Sequence, residues 1–126
     1  MVLQILMNDH KNILAIETSS NICGIAYITK GICVGCIEND LSKKHAEKLP
    51  EYYLKLQKET DFVLDEIDAV AVSIGPGSFT GLRVGLSFAK GIAFSKGLPI
   101  IPISTMMSLA YVLKESLPEM GIIYSH

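Results

Sequence analysis

Residues 68–83 read Asp68-Ala-Val-Ala-Val-Ser-Ile-Gly-Pro-Gly-Ser-Phe-Thr-Gly-Leu-Arg83. The first part, 69–74, is a continuous apolar run broken only by a serine, the signal of a short strand buried on both faces. Gly75-Pro-Gly-Ser-Phe-Thr-Gly81 follows as a glycine-rich turn. From about Thr80 to Lys96 the spacing becomes helical, and Gly97 is a natural stop. Another apolar run, 98–103, comes next. A strand, a helix and a second strand form a crossover, which returns the chain parallel and with right-handed connection.

Upstream of this unit the pattern is different. Runs 13–16, 22–28 and 32–37 are short and apolar, separated by the polar turn Glu17-Thr-Ser-Ser-Asn21 and the tight turn Thr29-Lys-Gly31. Turns that short make the three strands an antiparallel meander. Ser42 is placed to cap a helix running to about Lys58, with Ala46, Leu49, Tyr53 and Leu56 on its apolar face. Lys43, Lys44, Glu47, Glu51, Lys55 and Lys58 form its wet side. Pro50 should bend that helix or delay its start, because proline removes an internal hydrogen bond. Phe62 and Leu64 are expected to tuck inward from the connection 61–68, and Ser104 to cap a third helix to about Ser116. The order β-β-β-α-β-α-β-α predicts an α/β fold: a mixed five-stranded sheet with flanking helices. Residues 1–11 read as an extension, 12–117 as the lobe, and 118–126 as the start of a truncated or missing second lobe.

The chain has 126 residues, enough for one domain that buries about two-thirds of its unfolded surface. With 49% hydrophobic residues and a mean hydropathy of +0.37, either the core is generous or a partner covers part of the surface. A formal net charge of −2 disfavours a main phosphate-binding face for nucleic acid. No run approaches the roughly 20 apolar residues of a membrane span, and residues 1–7 lack the features of a signal peptide, so the reading is cytoplasmic. Three cysteines without a secretory signal do not make a disulfide framework. Cys33-Val-Gly-Cys36 has the spacing of a metal or redox pair. On a regular strand, positions three apart face opposite ways, so both thiols are read as small buried apolar groups.

Two stretches could hold a phosphate. Glu17-Thr18-Ser19-Ser20 ends the first strand with a carboxylate, hydroxyls and turn N–H groups. Gly75, Gly77 and Ser78 lie where a strand meets a helix N-terminus, which favours anions. The second is neither a Walker loop nor a dinucleotide fingerprint, and Ser78 or Thr80 can equally be a plain helix cap. A third feature is the row Gly77, Gly81, Gly85, Ala89, Ala93 at four-residue intervals. Glycine costs about 1 kcal/mol in a helix relative to alanine, so close approach of another backbone must compensate. That neighbour is either the domain's own sheet or another protein. Arg83 and Lys90 sit on a different, wet side. His10, His45 and His126 are widely separated, and His45 with Glu47 reads as a solvated helix edge rather than a metal fragment.

The strings 13–20, His45-Ala-Glu-Lys-Leu-Pro50, 68–83 and 84–94 closely resemble the TsaB family, formerly called YeaZ, over about residues 12–113. The resemblance implies the actin-like, sugar-kinase and Hsp70 (ribonuclease H-like) fold. It also implies a non-catalytic scaffold that pairs with a TsaD-type transferase in making threonylcarbamoyladenosine on tRNA, joined by a TsaE-like ATPase. TsaD-type chains carry a metal-binding histidine pair after the fifth strand. Here that place reads Ile103-Ser-Thr-Met-Met-Ser108, and the family's usual aspartate is Glu17. The resemblance therefore implies no catalytic residues, no metal and no cofactor beyond ATP or ADP at a complex interface. It implies neither direct tRNA binding nor a membrane, and allows a homodimer when the partner is absent. The docking surface it implies lies on the two helices, at His45, Leu49, Tyr53, Gly81, Arg83, Gly85 and Ala89. From the residues alone, an ATP-binding phosphotransferase or ATPase stays open as the alternative. A metallopeptidase is disfavoured by the missing histidines.

Overall fold

The computed structural model describes residues 11–40 and 44–104. Strands β1 (Asn12–Glu17), β2 (Ile22–Thr29) and β3 (Ile32–Asp40) form the antiparallel meander, followed by helix α1 (His45–Thr60). A single 3₁₀ turn, Leu64–Glu66, leads to β4 (Ala69–Gly75), then helix α2 (Phe79–Lys96) and β5 (Ile100–Ser104). The five strands lie in the order β3-β2-β1-β4-β5, with β4 parallel to both β1 and β5. This is the mixed sheet expected from the apolar runs. The proposed third helix lies outside the described residues.

Local chemistry accounts for most of the boundaries. Lys30 and Gly31 both have positive φ (53° and 72°), the conformation a tight two-residue hairpin needs. The Ser78 hydroxyl caps α2 by accepting the Gly81 N–H at 3.2 Å, and Gly97 closes it in the left-handed conformation. Helix α1 begins at His45, with Lys44 at its N-cap and no side-chain cap there; Ser42, expected to cap this helix, lies outside the described residues. Pro50 lies inside α1, and Asp61 rather than a glycine supplies the left-handed C-cap.

Both helices cover one face of the sheet. Leu14, Ile16, Cys23, Ile25, Ile37, Val70 and Val72 from the strands meet Leu49, Tyr52 and Leu56 of α1 and Ala89 and Ala93 of α2. Phe62 is buried in the same core and Leu64 half-buried against it. Phe62 stacks on Tyr27 at 5.4 Å and meets Tyr53 edge-on. The buried side of α1 is His45, Leu49, Tyr52 and Leu56, so the expected face is rotated: Ala46 is exposed and Tyr53 half-buried.

The cysteines need correction. Cys23 is buried, as expected, but Cys33 and Cys36 are exposed. A β-bulge interrupts the β2–β3 register: Cys33 pairs with Ile28 and Cys36 with Ala26, leaving Val34 as the extra residue. Ile28 and Ala26 are two apart on β2 and share a face, so their partners do too. Both thiols therefore stand on the sheet face away from the helices.

Candidate functional site

The two loops read as phosphate cradles come together, but they pack on each other. The Ser78 N–H donates to the Ser19 carbonyl at 2.7 Å, and the Ser19 N–H donates to Glu17 Oε2 at 2.8 Å. Thr18 is fully buried and its hydroxyl donates to the Gly81 carbonyl at 2.6 Å. The backbone of Gly77 sits directly against Ser19, where a Cβ would collide with the carbonyl. Gly75 carries a positive φ of 109° and precedes a cis peptide to Pro76. Glu17, Thr18, Ser19, Gly75, Gly77 and Ser78 thus make the joint between α2 and the β1–β2 turn. Their backbone donors at Ser19, Ser78 and Gly81 are committed within the chain.

The same joint answers the question posed by the glycine row. A Cβ on Gly81 would strike the Thr18 carbonyl, and one on Gly85 would strike Thr18 Oγ1. Gly81, Gly85, Ala89 and Ala93 are the buried residues of α2. The close backbone approach is real, but the neighbour is the domain's own β1–β2 turn and sheet. Gly81, Gly85 and Ala89 are therefore corrected from a docking face to an internal seam.

His45 is corrected as well. It is 6% exposed, and its Nε2 lies 2.9 Å from the Ser20 carbonyl and 3.2 Å from the Ile22 carbonyl. Both partners are acceptors, so Nε2 carries the proton and donates. The side chain ties the first turn of α1 to the β1–β2 turn instead of facing water. Leu49 is fully buried beside it.

What α1 and α2 present outward is a shallow groove of about 580 Å³. Ala46, Leu49 and Pro50 line it from α1, and Phe79, Arg83, Val84 and Phe88 from α2. Phe79 is 74% exposed, with the Arg83 guanidinium 5.4 Å from its ring centre. Tyr53 flanks the groove through an edge-on contact with Phe88 at 6.0 Å, and burial pushes its phenol pKa up. Phe94, 91% exposed, continues the outward row of α2 beyond the groove. Of the expected docking residues, Arg83 and Tyr53 border this surface, and the buried Leu49 lies beneath it. Phe79, Val84, Phe88 and Pro50 were missed. For Phe79 a signal was available: positions 79, 83, 87, 90 and 94 recur at helical spacing opposite the glycine row, with an aromatic at each end.

Among the described residues, no group of three or more His, Cys, Asp or Glu side chains is gathered for a metal ion, and no helix is long and apolar enough to cross a membrane.

Comparison with known proteins places this geometry. The TsaD family, described as tRNA N6-adenosine threonylcarbamoyltransferase, matches residues 27–125. The TsaB protein of Haemophilus influenzae, named for tRNA threonylcarbamoyladenosine biosynthesis, is 35% identical over 99 residues, covering 78% of this chain and 41% of that protein. A tRNA N6-adenosine threonylcarbamoyltransferase of Clostridium botulinum is 34% identical over 114 residues, covering 78% of this chain and 34% of that enzyme. Among solved structures, YeaZ from Pseudomonas aeruginosa superposes with a TM-score of 0.76 at 28% identity, over 88% of this chain and 50% of that one. The chain spans less than half the length of the curated relatives it matches.

Proposed function

The chain belongs to the TsaB/TsaD family, with the actin-like fold of its YeaZ neighbours, and on that premise we propose that it acts as a docking subunit for a TsaD-type transferase in threonylcarbamoyladenosine modification of tRNA. The observation that carries this reading is the α1–α2 groove. Phe79 is largely exposed, and Val84, Phe88 and Pro50 open onto the same concavity. Contiguous apolar side chains of this kind mark a protein-binding surface more often than a solvated one. A groove between two helices packed side by side accepts the ridge of a third.

The contact differs from the one the glycines suggested. Large side chains, not close backbone approach, supply the surface: Phe79 and Phe88 offer apolar area, and Arg83 offers a charged rim. In this reading the chain contributes position and stability to its partner rather than a reacting group. A TsaE-like ATPase joins the assembly, and a second copy of the chain occupies the groove when the transferase is absent.

Reconstitution tests the proposal. A TsaD-type transferase assayed alone and with this chain should modify tRNA markedly faster in its presence, whereas the chain alone should turn over nothing. Equal rates with and without the chain would contradict a docking role.

A further inference from the structure

The bulge in β3 places two exposed thiols on one sheet face, and nothing in the proposed docking role uses them. We propose that Cys33 and Cys36 together bind a soft, two-coordinate monovalent cation of the Cu(I) class. This is independent of the α1–α2 groove, which lies on the opposite side of the sheet.

The geometry rests on register. Cys33 faces Ile28 and Cys36 faces Ala26, so the two sulfurs project from neighbouring same-face positions. The Cys33 thiol leans along the strand toward Cys36, with Sγ 3.4 Å from the Gly35 carbonyl. Gly35 itself points the other way, against Thr60 and Leu56 of α1.

Spacing and ligand count select the occupant. Two same-face strand positions stand about 6.6 Å apart. That is the far edge of what a direct disulfide spans without strain. An ion between the sulfurs relaxes this requirement, letting them stand two metal–sulfur bonds apart, roughly 4.6 Å for bonds near 2.3 Å. Structural zinc requires four ligands, and no third His, Cys, Asp or Glu joins the pair in a suitable group among the described residues. Thiolates favour soft ions, and Cu(I) is satisfied by two. Binding converts two S–H groups and one Cu(I) to a bis-thiolate complex and two released protons, with no change of oxidation state.

The test uses the full 126-residue chain under nitrogen, titrated into Cu(I) held by the coloured chelator bicinchoninate. One equivalent of copper should leave the chelator per chain, with all three cysteines still titrating as thiols once copper is removed. Cys33→Ser and Cys36→Ser should each weaken uptake by about a hundredfold, the loss of a chelate rather than half of a sum. Cys23→Ala, at the buried cysteine, should leave uptake unchanged. Circular dichroism confirms that each variant is folded. No transfer of copper, halved uptake in each serine variant, or recovery of a Cys33–Cys36 disulfide would each overturn the proposal.

Discussion

At the scale of single residues, the densest chemistry lies where Thr18 meets α2. Its hydroxyl is buried, donates to Gly81, and fills the space a side chain on Gly85 would need. Gly85→Ala therefore sets two effects against each other. Helix propensity favours alanine by about 1 kcal/mol, while overpacking a rigid contact costs typically 1–3 kcal/mol. The obstructing atom is a hydrogen-bonded hydroxyl held between backbone groups, not a flexible chain end, so the steric cost should win. Thermal unfolding should show a lower Tm for Gly85→Ala and a larger fall for Gly85→Leu. An unchanged Tm would mean that α2 can shift off the turn freely. His45→Ala removes the donor to two carbonyls and should cost on the order of 1 kcal/mol, since the Ser20 end of that contact is exposed and water can replace it. Chemical denaturation measures this as a lower midpoint with unchanged slope.

At the scale of elements, the sequence makes strands and α2 legible and misplaces surfaces. Apolar runs between short polar turns are unambiguous, and Ser78 and Gly97 bracket α2 with groups whose capping chemistry is local. The glycine row correctly signals a close approach, but the partner, Thr18, is 63 residues away in sequence. Periodicity reports that one face is tight without reporting what fills it. Helix α1 was read with the wrong rotation because histidine looks polar: the row His45, Leu49, Tyr52, Leu56 is the buried one, and only the carbonyls of Ser20 and Ile22 make His45 comfortable there. The bulge at Val34 was invisible for the same reason, since register belongs to two strands at once. The groove follows from these corrections, and it yields a prediction at this scale. Phe79→Ala removes an exposed aromatic, so fold stability should change by less than about 0.5 kcal/mol. Burying such a side chain in a complex is worth about 1.5–3 kcal/mol, so affinity for a TsaD-type partner should fall by roughly tenfold to a hundredfold. Isothermal titration of the variant against wild type checks the split between the two.

For the whole molecule, the sheet order β3-β2-β1-β4-β5 leaves the helices together on one face. Among the described residues, one helical layer has its inner side on the sheet and its outer groove open. That arrangement separates the two surfaces of interest, with the groove on one side of the sheet and the Cys33–Cys36 pair on the other. Loss of copper uptake should therefore leave partner binding intact, and the reverse. The central claim, that the outward groove of α1 and α2 receives a TsaD-type subunit, is tested most directly by the equilibrium affinity of Phe79→Glu beside that of Ile32→Glu. Ile32 is an exposed apolar residue (65%) at the start of β3, remote from the groove. Phe79→Glu is expected to abolish binding while Ile32→Glu binds as tightly as the wild type. Equal affinities for the two variants would contradict the account.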